Sequence, residues 1–112
     1  MGSKIRGFIQ AVFATPASAR VLDQERLAVI YQNAIGAYEK ALAKNREALG
    51  EQHPNTANDY NNLGEAWNAL GDSQKAILNF EKALAILHGV LPKGHPTIRQ
   101  VEANLAAAKK QQ

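Results

Sequence analysis

The sequence predicts an all-α fold built of antiparallel helix pairs, with about five helices. Three observations carry this reading. A block occurs twice, 42 residues apart: 33–54 reads NAIGAYEKALAKNREALGEQHP and 75–96 reads KAILNFEKALAILHGVLPKGHP. Apolar residues recur at helical spacing, and nowhere do β-branched residues alternate with polar ones over five positions. Glycine and proline punctuate the chain between these periodic stretches.

In the two blocks Ala34/Ala76, Ile35/Ile77, Glu39/Glu81, Lys40/Lys82, Ala41/Ala83, Leu42/Leu84, Ala43/Ala85, His53/His95 and Pro54/Pro96 are identical, and Tyr38/Phe80 exchanges one aromatic for another. A fixed period in this range means stacked supersecondary units. Such stacks present extended surfaces to partners.

The elements follow in order. Lys4 and Arg6 flank an apolar stripe of Ile5, Phe8, Ile9, Val12 and Phe13. That spacing predicts a short amphipathic helix over 1–15. The small residues at 14–19 give it a faint likeness to a secretory signal, which Gln10 and the one-sided stripe oppose. The segment is too short to span a bilayer. Its stripe has three readings: a cap on the first helix, a self-association surface, or a membrane-surface contact through 4–13.

Thr15-Pro16 restarts a helix, with threonine as N-cap and proline at the first helical position. Asp23 is a second candidate cap. From there Leu27, Ile30, Tyr31, Ala34, Tyr38, Ala41, Leu42 and Leu49 keep helical spacing with no internal proline. Gly50 stops this helix, and His53-Pro54-Asn55 is a loop. The next helix starts near Asn55 or Thr56 and ends at Leu70. Gly71-Asp72 is a tight turn, and a helix follows over 73–90. Pro92-Lys93-Gly94 breaks the chain, His95-Pro96-Thr97 repeats the earlier loop, and a last helix covers about 98–110. Its apolar positions are Ile98, Val101 and Leu105.

Composition excludes several classes of function. There is no cysteine, so disulfides and thiolate metal sites are ruled out. Net charge is +3, its excess lies in 1–50, and no run of like charges exists. This argues against a nucleic-acid partner. His53 and His95 occupy equivalent loops, His88 is expected on a helix surface, and nothing completes a metal-ligand spacing. No nucleophile pairs with a base in a local motif, and no phosphate loop of the form Gly-x-x-x-x-Gly-Lys occurs. The reading is therefore no enzyme, no cofactor and no metal.

The best-formed unit covers 57–90. It contains Tyr60-x-x-Leu63-Gly64-x-x-Trp67, then Ala76, Phe80 and Ala83. This resembles the tetratricopeptide repeat pattern, with aromatics exchanged in kind at the first and fourth marked positions. Leu63 and Trp67 lie one turn apart and are expected to face the partner helix. Gly64 and Ala76 are small where the helices cross. The long period resembles the variant found in kinesin light chains and related bacterial scaffold proteins. The resemblance implies a right-handed superhelix over 16–112, with partial units on either side of 57–90. In the first partial unit the turn would fall at Val29-Ile30, which are not turn residues, so 24–49 reads equally as one long helix.

The resemblance also implies a concave groove lined by the first helix of each pair. Asn58, Asn61, Glu65 and Asn68 share one face at helical spacing, with Asn62 beside them. Gln100, Asn104 and Lys110 follow on the last helix, and Asn104 stands 42 residues after Asn62. An amide carries both donor and acceptor and can pair with either backbone group of an extended chain. In the family, an asparagine at the Asn62 position commonly does so. Glu65, Ala69 and Ala103 at groove positions do not suit a partner ending in a free carboxylate; an internal segment fits better.

The expected function is that of a scaffold or adaptor holding an extended peptide segment in this groove, within the cytoplasm. Glu65 and Lys110 would select charge. One alternative is self-association, with a second chain supplying a helix to an open end at Ile98, Val101 and Leu105. The other is a membrane-peripheral adaptor acting through 4–13.

Overall fold

The structure, a computed structural model, describes the backbone of residues 16–112 and the side chains from Asp23 onward. The expected amphipathic helix over 1–15 lies outside the described residues. The chain falls into two units, Met1–Ile30 and Tyr31–Gln112, and the second contains the repeat.

Four helices make up the described residues: α1 (Pro16–Leu49), α2 (Pro54–Ala69), α3 (Ser73–Val90) and α4 (Pro96–Lys110). Pro16 opens α1 at its first helical position, as expected. Asp23 does not cap a second helix: it lies inside α1, because no helix breaker stands between Pro16 and Gly36. The same logic carries α1 through Val29-Ile30, where the repeat would turn. Both are exposed, as is Leu27, so Leu27 and Ile30 of the predicted apolar stripe stand on the surface.

Each later boundary has a local cause. α1 ends before Gly50, whose carbonyl then accepts a hydrogen bond from Thr56 Oγ1 at 2.8 Å. His53 and His95 are the N-caps of α2 and α4. Their Nδ1 atoms accept the N–H of Asn55 at 3.0 Å and of Thr97 at 3.1 Å. A proline follows each at the first helical position, where its missing N–H costs nothing. Asp72 caps α3 by accepting the Lys75 N–H at 3.1 Å. Between α2 and α3, Gly71 has φ +87°, a left-handed conformation that a side chain would strain.

The core of the second unit is built from two neighbouring clusters of buried side chains. Phe80, Leu87, Ile98 and Val101 are its largest fully buried members, together with Ala57, Ala76, Ala83 and Ala108. α2 packs broadly on α3 and α3 on α4, while α2 meets α4 along a narrower strip. Gly64 and Ala76 are buried where α2 crosses α3, as the sequence implies. Leu63 corrects its expectation. It buries with Ile35 and Ala66, flanked by Tyr31, Tyr38 and Leu42, so it faces α1 rather than α3. Tyr60 and Gly64 already occupy the α3 side. Trp67 borders both clusters, with Lys75 Nζ 4.2 Å from its ring centroid.

Ile98, Val101 and Leu105 also correct an expectation. Ile98 and Val101 are 2% exposed inside the core shared with α3, and Leu105 packs against the same cluster. They are not an open end. The outward side of α4 carries Arg99, Glu102, Ala106 and Lys109, all exposed.

Candidate peptide-binding face

The asparagine row runs along the side of α2 that meets α4. Tyr60 and Leu63 turn inward, which leaves Asn58, Asn61, Asn62, Glu65 and Asn68 around the remaining arc. Asn58 and Glu65 are exposed; Asn61, Asn62 and Asn68 are half-buried.

Three of the predicted residues converge. Asn104 Nδ2 of α4 donates to Asn61 Oδ1 at 3.1 Å and to Glu65 Oε1 at 3.2 Å. The Asn61 amide nitrogen and the Asn104 carbonyl oxygen take no part in these bonds, so a donor and an acceptor stand side by side across the two helices. The structure therefore gives Asn104 a role that sequence spacing did not show: it ties α2 to α4. Its 42-residue equivalent is Asn62, but its neighbours are Asn61 and Glu65.

Asn58 and Gln100 extend the face by one turn on each helix and are exposed. Asn68 continues the row toward the end of α2. Its Oδ1 is buried with no hydrogen-bond partner among the described residues. Lys110 stands apart. It is six residues beyond Asn104, about a third of a turn off the shared face, and exposed at the end of α4.

A second network braces this face from behind and was not legible from spacing. Asn45 Nδ2 donates to Asp59 Oδ2 at 2.6 Å, and the Tyr60 hydroxyl donates to Glu51 Oε1 at 2.7 Å. Arg46 Nε lies 2.6 Å from Glu51 Oε2; this pair is about half exposed and adds little stability by itself. Burial, then the hydrogen bond and negative charge of Glu51, raise the Tyr60 phenol above its ordinary value, against a smaller opposing pull from Arg46. These contacts hold the C-terminal end of α1 against the start of α2.

The N-capping histidines were also missed, because serine, threonine, asparagine and aspartate are the usual caps. The signal was present in the doubled His-Pro, which places a ring nitrogen just before a proline at the first helical position. Among the described residues no group of three or more His, Cys, Asp or Glu side chains is arranged to hold a metal ion. None of the described helices is long and apolar enough to cross a membrane.

Curated proteins and solved structures give no match to this sequence. A family model described as tetratricopeptide repeat matches residues 31–87, which include the C-terminal half of α1, all of α2 and most of α3. The matched stretch takes in both copies of the Ala-x3-aromatic-x2-Ala pattern and the Gly64–Phe80 crossing. Repeat, fold and family model agree: the chain belongs to the tetratricopeptide repeat family.

Proposed function

We propose that this chain holds an extended segment of a partner protein across α2 and α4. Tetratricopeptide repeats are in general protein–protein interaction modules and are typically non-enzymatic, which sets the class of partner. The observation that carries the finer reading is the Asn104 bridge to Asn61 and Glu65. It aligns unused amide groups from two helices in one row, as a ligand backbone requires. Asn58, Asn62 and Gln100 extend the row, and Asn68 closes it.

Roles divide by which amides already bond one another. Asn58 and Asn62 read the backbone, while Asn61 and Asn104 hold each other in place. Glu65 is the charged group at the centre of the face, so it favours a lysine or arginine in the bound segment. Lys110 selects charge only for a ligand that reaches past the end of α4. Affinity for a short segment is expected to be about micromolar, because an extended ligand loses chain entropy on binding.

The test is selection of binders from a displayed peptide library, followed by NMR of the asparagine side-chain amides. A groove ligand shifts the Asn58, Asn61, Asn62 and Asn104 amide signals, and an Asn58→Ala/Asn62→Ala variant of unchanged helicity loses it. A ligand retained by that variant, with those signals unmoved, overturns the reading.

A further inference from the structure

We infer that Glu65 fixes the polarity of the amides bridging α2 and α4, so that Asn104 meets a bound segment as a hydrogen-bond acceptor alone. The segment must then bring a free backbone N–H to that point, and proline is rejected there. This inference rests on the groove reading and gives it a chemical selectivity.

The argument starts from what each group can do. An ionised carboxylate only accepts hydrogen bonds, whereas an amide side chain has a donating end and an accepting end. Glu65 Oε1 stands 3.2 Å from the near end of the Asn104 amide, so that end is Nδ2. The reversed amide would set oxygen against oxygen. With Nδ2 so placed, the Asn61 atom 3.1 Å from it is the accepting Oδ1, because a second amide nitrogen there would set donor against donor. One carboxylate thus settles two amides in succession.

The hydrogen atoms can then be counted. Asn104 Nδ2 carries two, and the bonds to Asn61 and Glu65 use both. What Asn104 has left is Oδ1, which holds lone pairs and no hydrogen to give. Its complement in an extended chain is a backbone N–H, the group that proline lacks. Asn61 is the opposite case. Its Oδ1 is engaged, and its Nδ2 is left to donate to a backbone carbonyl.

The device is not repeated along the chain, since Ala103 and Ala107 stand 42 residues after Asn61 and Glu65. The selectivity therefore belongs to the α2–α4 pair. Asn104 is half-buried, which raises the cost of leaving its Oδ1 unpartnered. Glu65 is exposed, and its Oε2 takes no part in the bridge, so a cation of the segment can still meet it. Glu65 is thus a positioning residue as well as a charged contact. Glutamine separates the two roles: its Oε1 accepts from Asn104, and the charge is gone.

The test uses peptides selected on the wild type from a displayed random library. They are resynthesised with an ester replacing one backbone amide at a time, which removes a single N–H. On the wild type one position is expected to lose about tenfold in affinity, the worth of one hydrogen bond together with an acceptor left unpaired. Proline at that residue should cost at least as much. The loss should vanish on Asn104→Ala, persist on Glu65→Gln, and vanish on Glu65→Ala, where the Asn104 amide is free to turn over. All three variants are checked for helicity. A Glu65 that only supported the fold would weaken every peptide of the scan alike. Peptides that shift the Asn104 amide signals but have no ester-sensitive N–H overturn this assignment and leave the groove standing. So does an N–H that stays sensitive on Asn104→Ala or on Glu65→Ala. A library yielding no peptide that shifts those signals overturns the groove and this assignment together.

Discussion

The Phe80 ring fills the space that a side chain on Gly64 would need. A Cβ built on Gly64 would lie 2.5 Å from Phe80 Cε1 and 2.6 Å from Cδ1. The crossing of α2 and α3 therefore depends on one missing methyl group and one flat ring.

Gly64→Ala should destabilise the fold. Overpacking costs about 1–3 kcal/mol, while alanine in a helix recovers up to about 1 kcal/mol over glycine. The expected net loss is about 1–2 kcal/mol, read as a lower urea midpoint. Phe80→Leu in the same chain should remove part of it, so the two changes would be non-additive. An unchanged midpoint in Gly64→Ala would show that α2 and α3 separate without cost.

His53→Ala and His95→Ala should each cost about 1 kcal/mol, the usual worth of an N-cap. Asparagine at either position should preserve most of the stability, since its side chain can accept the same N–H. Urea unfolding of the four variants checks this. Alanine variants as stable as the wild type would mean the imidazoles are spectators.

The Tyr60 phenol gives stability a dependence on alkaline pH. Its folded-state value is raised above the ordinary 10.0. The neutral form is thus favoured by folding. The contribution is fully present below 10.0 and is lost as pH rises through the higher folded value. From 10.0 up to that value, wild-type stability should fall more steeply than that of Tyr60→Phe. Parallel curves for the two proteins would contradict this assignment.

Asn104→Ala and Asn61→Ala should interact. Each removes one end of the 3.1 Å bond between α4 and α2, worth about 1 kcal/mol. The double variant should cost less than the two singles added together. Strict additivity in a double-mutant cycle would show that the bridge holds no energy.

Much of this was legible in the sequence, for reasons particular residues make plain. Ala76, Phe80 and Ala83 lie at fixed spacing because they share one buried stripe, and a buried stripe leaves a period in the chain. Gly71-Asp72 and Gly50 announce turns through backbone chemistry that few other residues supply. What stayed hidden depends on which neighbour a side chain meets. Leu63 is apolar whether it faces α1 or α3, and the pattern alone does not choose. Ile98 and Val101 read as an unpaired end until α3 is seen to bury them. Asn104 reads as free amide until Asn61 and Glu65 are set beside it. Asn45–Asp59 and Glu51–Tyr60 join residues with no shared period, so no repeat could disclose them.

The narrow strip between α2 and α4 has a consequence for how the molecule opens. α4 is held mainly by α3, so it can fray while the other pairs stay closed, as in any stack whose units touch only their neighbours. The α4 side of the asparagine face is then expected to exchange its amides with solvent before α2 and α3 do. A segment bridging α2 and α4 would slow that exchange, and every substitution that loosens α4 would weaken the segment's hold. For the proposed segment, occupancy and unzipping would be two readings of a single equilibrium, and amide protection at the C-terminal helix would be a direct gauge of its binding.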